Sequence, residues 1–255
     1  MEMKDEDKLT GVILAGGEGT RLRPLSYYFQ KCMIPVGTNQ RPLLEYIIRF
    51  LRYHGITDVR LLVGYKNEQI KNYFEKGKRF GINLNYLLDD PKTKGTGAAL
   101  LNLYKKENLN RGTILIYYGD ILSNIDLTEM MNQHRREKSA VTLAVVHGYQ
   151  VPVGVASVDG TRVVRWVEKP QLNLDVGIGI LAIDAEVLEE LSQMGKGAKE
   201  LDITRDFIPW LQDKGYPVGA YVTDSFWYDI GSTEKYEKLD NGLIDKTFKF
   251  LFSEE

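Results

Sequence analysis

A mixed, mostly parallel β-sheet flanked by helices, an α/β fold, is predicted from three features of the 255-residue chain. Apolar runs of strand length alternate with amphipathic stretches at helical spacing as far as Lys138, the pattern of a wound sheet. Three strand-like runs then follow in quick succession, with Asp159-Gly160 between the last two as a hairpin turn. No repeat, low-complexity tract or Pro/Gly-rich linker divides the chain, so one domain spanning residues 1–255 is expected, with a helical C-terminal segment over 233–252.

The elements follow in order. Gly11–Ala15 reads as the first, buried strand. Pro42–His54 reads as a helix, with Pro in its first turn, Leu44, Ile47, Ile48 and Leu51 on one face and Gly55 to end it. Asp58–Gly64 is a strand and Glu68–Phe74 a short helix; Ile82, Leu84, Tyr86 and Leu88 alternate as a half-buried strand does. Thr96–Lys106 is helical and Thr113–Tyr118 is a buried strand. Asp126 with Glu129 three residues on marks the start of a helix running to Lys138. Val141–Val146, Val153–Val158, Thr161–Val167, Gly177–Ile183 and Val218–Thr223 are the later strands, and Thr204–Lys214 is a helix. A terminal helix is expected over Ser232–Phe252, with Ser232 as N-cap. Its cluster of Phe248, Phe250, Leu251 and Phe252 is expected to pack on its own domain, with a subunit contact in a homo-oligomer as the alternative.

Composition excludes several functions. Lys plus Arg total 33 against 35 for Asp plus Glu, a net charge of -2 that argues against nucleic acid as the main partner. The charged start MEMKDEDK has no apolar core of a leader, and the longest apolar runs are too short for a membrane span. The single cysteine, Cys32, excludes an intrachain disulfide and a Cys-based zinc site, and a reducing cytoplasm is the expected location. The histidines are set aside: His54 at a helix end and His134 in a charged helix as surface residues, His147 for want of a partner at ligand spacing.

The most informative stretch is LAGGEGTRLRP, Leu14 to Pro24. A glycine-rich turn after a first strand lets backbone N–H groups close around phosphate oxygens. It is not a P-loop, because Gly19-Thr20-Arg21 stands where Gly-Lys-Ser/Thr is needed, nor a dinucleotide fingerprint, because Leu22 holds the third glycine's place. A turn with glycines for backbone reasons alone is the plain alternative, but it would need no neighbouring cations such as Arg21 and Arg23.

Leu14–Leu25, followed by Lys31-Cys-Met-Ile-Pro-Val36, resembles the motif pair of the sugar-1-phosphate nucleotidylyltransferases, the NDP-sugar pyrophosphorylases. Pro42–Tyr46, Gly95–Ala98, Tyr118-Gly119-Asp120, Glu168-Lys169-Pro170, Gly179–Leu181 and Trp227–Gly231 are similar to further motifs of that family, in the same order. The resemblance implies a Rossmann-like, GT-A-like fold. It also implies an enzyme that joins a nucleoside triphosphate and a hexose-1-phosphate into an NDP-sugar with release of pyrophosphate, aided by Mg²⁺. Arg21 and Lys31 would be catalytic. Leu14, Ala15, Gly16, Gly17, Gly19, Thr20, Asp90, Gly95 and Thr96 would hold the nucleotide. Gly154, Glu168, Lys169, Gly177 and Gly179 would face the sugar, and Asp120 and Asp229 would bind the metal.

Departures are visible too. Gln30 and Cys32 replace the usual prolines beside Lys31, which leaves its charge in place and is expected to loosen its presentation. Val153 and Gly177-Ile178 depart from the sugar-side pattern. Asp89-Asp90-Pro91 stands where thymidylyl- and uridylyltransferases present a glutamine, which favours guanine, with those two bases as alternatives and a solvated loop as the plain reading. A non-catalytic relative that binds nucleotide sugars and regulates a partner is the rival from another class.

Overall fold

The computed structural model describes residues 9–107, 109–151 and 153–253; the charged N-terminal segment read above lies outside them. β1 (Leu9–Ala15) leads through three short 3-10 turns, Thr20–Leu22, Leu25–Tyr27 and Lys31–Met33, to β2 (Pro35–Val36), β3 (Arg41–Pro42) and α1 (Leu43–Tyr53). Then come β4 (Asp58–Val63), α2 (Asn67–Phe74), β5 (Asn83–Leu88), α3 (Thr96–Glu107), β6 (Thr113–Tyr118), β7 (Ile121–Ser123) and α4 (Leu127–Glu137). β8 (Val141–Gln150), β9 (Val155–Asp159), β10 (Arg162–Val167), β11 (Gln171–Asp184) and α5 (Leu188–Met194) follow. The order closes with α6 (Ile208–Asp213), β12 (Val218–Thr223), β13 (Trp227–Asp229), α7 (Thr233–Glu237) and α8 (Asn241–Thr247).

Seven strands form the central sheet in the order β12-β8-β11-β6-β1-β4-β5. β1 pairs in parallel with β4 and β6, and β4 in parallel with β5. β11 runs antiparallel to both β6 and β8, and β12 is parallel to β8. Alternate residues of the central strands feed opposite layers, as a sheet covered on both faces requires. Ile13, Leu61, Leu115 and Tyr117 join the layer of α1, α2 and α4, while Val12, Leu62, Ile114 and Ile116 join that of α3, α5 and α6. The mixed α/β architecture is therefore as the sequence predicts.

Local chemistry sets the element ends. Asp126 caps α4 by accepting from the Glu129 N–H at 2.9 Å, and Ser232 caps α7 by accepting from Lys235 N–H. Glu45, in the Pro42–Tyr46 motif, is buried and satisfied by Arg41, Arg49 and the Tyr73 hydroxyl at 3.0, 2.8 and 2.6 Å. That motif is accordingly structural.

Several elements differ from the sequence reading. The C-terminal segment is not one helix but α7, α8 and a 3-10 turn over Lys249–Phe252. Asp240 restarts the chain by capping the Leu243 N–H at 3.0 Å, and Phe248 turns into the core, edge-on to Tyr46 and Phe226. The expected packing on its own domain is thus what Phe248 and Leu251 do, whereas Phe250 is exposed. The helix predicted from Thr204 begins as a π-turn over Ile203–Phe207, where Pro209 has no N–H to return to the preceding turn. His134 is buried, not surface, with its ring nitrogens on Thr142 Oγ1 at 2.8 Å and Asp184 Oδ1 at 3.0 Å. β8 and β11 run on past the predicted ends and carry the β9–β10 hairpin outward as an exposed arm, with Gly160 at its tip in the left-handed region.

Candidate active site

A cleft of about 720 Å³ opens at the C-terminal ends of β1, β4 and β6, where open parallel sheets bind ligands. Its walls include Leu14, Ala15, Gly16 and Gly17 of the glycine loop, Lys31, Asp90, Gly95, Thr96 and Asp120. Nine residues singled out in the sequence thus meet in one place. Across the cleft mouth the Lys31 ammonium and the Asp120 carboxylate form a close ion pair spanning 89 residues, each side chain mostly buried. It sets a fixed cation beside a fixed anion.

The loop glycines are needed for close approach. Gly19 has φ 62°, and the Lys31 stem crosses it so closely that a Cβ there would lie 3.2 Å from Lys31 Cβ. A Cβ on Gly16 would overlap the Asp89 carboxylate, which lies against the Gly16 and Gly64 backbone. Thr96 lines the cleft, but its hydroxyl donates to Asp202 Oδ2 at 2.8 Å and accepts from Ile203 N–H at 2.9 Å. It ties α3 to the turn before α6.

Asp229 reaches the same region by a different route. β13 pairs with β7, setting Asp229 opposite Ile121, and the Ile230 N–H donates to the Asp120 carbonyl at 2.9 Å. Its carboxylate holds Lys235 Nζ at 2.5 Å. Backbone pairing alone therefore brings the two acids onto adjoining strand ends. Among the described residues no group of three or more His, Cys, Asp or Glu gathers for a metal. Two all-oxygen side chains fit a hard cation that takes its remaining ligands from water and phosphate.

Other predicted residues lie elsewhere. Thr20 and Arg21 sit on the exposed turn beyond the loop, outside the cleft wall. None of Gly154, Glu168, Lys169, Gly177 and Gly179 lines the cleft. Glu168 and Lys169 are exposed at the foot of the β9–β10 arm, where the Trp166 ring and Glu168 carboxylate crowd Gly154. Gly177 faces open space, while Gly179 abuts the side chains of Tyr118 and Ile121.

Sequence reasoning passed over Gly64, Tyr65, Thr93 and Lys94, which also line the cleft. Lys94 gives no motif, because its backbone is what fixes it, through Lys199 O at 3.0 Å and Leu201 N–H at 2.9 Å. Burial pushes the Cys32 thiol up to about 12, so Cys32 is a packing group and not a thiolate.

Burial raises the Asp89 carboxyl from its usual 3.8 to about 6. Between those values the unfolded chain has lost the proton that the folded chain keeps, so Asp89 lowers stability as pH rises through that window. Asp89→Asn is therefore expected to raise Tm at pH 7 relative to the parent and to leave it nearly unchanged at pH 3.5. Thermal melts at the two pH values check this, and an equal shift at both would contradict it.

The Nucleotidyl transferase family profile matches residues 10–246, so the chain belongs to that family. It is 28% identical to the UTP–glucose-1-phosphate uridylyltransferase of Synechocystis sp. over 94% of this chain, and spans 65% of that relative's length. It is 31% identical to the D-glycero-alpha-D-manno-heptose 1-phosphate guanylyltransferase of Aneurinibacillus thermoaerophilus, covering 92% of this chain and 98% of that one. HddC from Yersinia pseudotuberculosis, solved with GMP-PN, shares the fold at TM-score 0.68 and 24% identity, over 90% of this chain and 96% of that one.

Proposed function

We infer that this chain transfers a nucleotidyl group from a nucleoside triphosphate to a sugar-1-phosphate, and the observation that carries this is the Lys31–Asp120 pair at the mouth of the glycine-loop cleft. A sugar-phosphate oxygen forms a new bond to the α-phosphorus, the bond from that phosphorus to the β-bridging oxygen breaks, and pyrophosphate leaves with the electron pair. The attacking oxygen is already anionic, so no side-chain base is required, and catalysis is alignment and neutralisation of charge. The loop amides from Gly16 to Thr20 would cradle the triphosphate, with Arg21 closing over it from the exposed turn. Lys31 would sit between the two reacting phosphates and offset their repulsion. Asp120 and Asp229 would hold Mg²⁺, which when bound neutralises the phosphate oxygens that gain charge.

Glu168 would accept from sugar hydroxyls and Lys169 would meet the sugar phosphate, with Gly154, Gly177 and Gly179 leaving room for the hexose. Guanine is the favoured base. Asp89 and Asp90 supply acceptors in the cleft wall, matching the adjacent N–H donors of guanine, and a guanylyltransferase stands among the relatives. The cytoplasm, where both substrates are made, is the proposed location; no described helix is long and apolar enough to cross a membrane.

Pyrophosphate release across a grid of nucleoside triphosphates and hexose-1-phosphates tests this reading. One responding column, silenced by chelating the divalent cation, names base and sugar together. Silence across the grid, with a nucleotide sugar still binding by calorimetry, leaves the regulatory reading instead.

A further inference from the structure

Lys31 is flanked by the two residues that depart from the family's prolines, and the structure accounts for both. Gln30 is fully buried, with φ -63° and ψ 141°. Its side-chain Nε2 donates to the Ala15 carbonyl at 2.7 Å, and its Oε1 accepts from the Cys32 N–H at 2.6 Å. Its own backbone N–H donates to Gln69 Oε1 at 2.6 Å, and Gln69 Nε2 donates in turn to the Tyr28 carbonyl at 2.7 Å. One amide thus joins the last residue of β1, where the glycine loop begins, to the 3-10 turn that carries Lys31. On the other side Cys32 packs at the end of β6, where a Cβ on Gly119 would lie 2.6 Å from its sulfur. Hydrogen bonds on one side and packing on the other thus hold the turn where the family has prolines.

We propose that Gln30 is the positioning residue for Lys31, fixing by hydrogen bonds the turn geometry that a proline fixes by its ring. The proposal rests on the transferase reading above. A glutamine in water turns freely about three side-chain bonds, but here both ends of its amide are engaged and no rotamer is left to it. Its φ is already the one a proline ring imposes. Lys31 leaves this clamped turn over Gly19 and has one anchor ahead, Asp120. A displacement of the turn therefore moves the ammonium away from the place where the two phosphates must meet, an effect on turnover more than on binding. A staple that served folding alone would lower stability and leave the folded enzyme's turnover intact.

Gln30→Leu is close in volume, removes both side-chain bonds and keeps the backbone N–H; Gln30→Pro removes the side-chain bonds and that N–H and restores the backbone restriction. The Leu variant is expected to lower kcat about tenfold or more, with KM for the triphosphate changed less than about threefold. The Pro variant, which also loses the N–H bond to Gln69 Oε1, is expected to regain part of that loss. In a Lys31→Met background the Leu substitution should change kcat less than about twofold, because a residue that acts through Lys31 has nothing left to position. Full kcat in folded Gln30→Leu, or an undiminished loss in the Lys31→Met background, would overturn the proposal. Should the Leu variant fail to fold, Gln30→Met keeps the side chain's length, loses both bonds, and carries the same expectations. A spectrum of ¹⁵N-labelled lysine reads the ion pair without turnover. The paired Lys31 ammonium signal, assigned by its loss in Lys31→Arg, should shift or broaden in Gln30→Leu, and an unchanged signal would overturn positioning. An inactive parent whose lysine signal still responds to Gln30→Leu would mean that the transferase reading, and not the positioning, had failed.

Discussion

Asp120→Ala is expected to reduce pyrophosphate release about a thousandfold while leaving the fold in place. Asp120 is the anion at the cleft mouth, and its backbone carbonyl, which the substitution spares, still accepts from Ile230 N–H and keeps β13 beside β7. What is lost is the carboxylate that would fix the divalent cation, a loss of the size seen when one fixed charge-stabilising group leaves an active site. The stability change should be moderate, because the ion pair is mostly but not fully buried, with side-chain exposures of 15% for Lys31 and 21% for Asp120. Breaking such a pair costs about 1–3 kcal/mol, roughly 2–12 °C in Tm for a chain of this size. Turnover and a thermal melt on the same sample check both halves. A large fall in Tm with proportionate loss of activity would mean that Asp120 serves the fold.

Lys31→Met should be nearly as damaging to turnover, by about a hundredfold or more, for the complementary reason. The methionine keeps much of the apolar stem that crosses Gly19, so packing is largely retained. The change leaves Asp120 without its cation, with a local excess of negative charge where, on the proposed reading, phosphates enter. Both kcat and the affinity for triphosphate are expected to fall, and Lys31→Arg should not restore kcat, since a planar guanidinium cannot take the place of a point charge. Steady-state kinetics of the two variants test this, and full activity in Lys31→Arg would show that charge alone suffices.

The sequence made the glycine-loop side of the cleft legible because its residues fall in short motifs of adjoining positions. Leu14–Gly17 and Asp120 end or closely follow the parallel strands β1 and β6, whose pairing brings those ends together, and Lys31 reaches Asp120 from the 3-10 turn after the loop. Gln30 could not be read this way. Its importance lies in contacts with Ala15 and Gln69, which no spacing announces. His134 looked like a surface residue because its helix neighbours are charged, but Thr142 and Asp184 approach it from two different strands. The same holds for Ser232–Phe252, whose helical composition was visible and whose break at Asp240 depends on where Phe248 finds its pocket. Arg21 shows the opposite limit. The motif marks it strongly, and the fold leaves it exposed beyond the cleft wall.

The β9–β10 arm separates two vocabularies within one chain. The residues that line the glycine-loop cleft are rooted in the buried sheet, whereas Gly154, Glu168 and Lys169 belong to an outlying hairpin and its foot, whose residues are largely exposed. Substitutions along the arm meet few packed neighbours, so this part of the chain is free to diversify while the sheet-bound machinery stays constrained. On the transferase reading proposed above, a lineage could thus acquire a new acceptor by rewriting one hairpin and keep its donor chemistry unchanged.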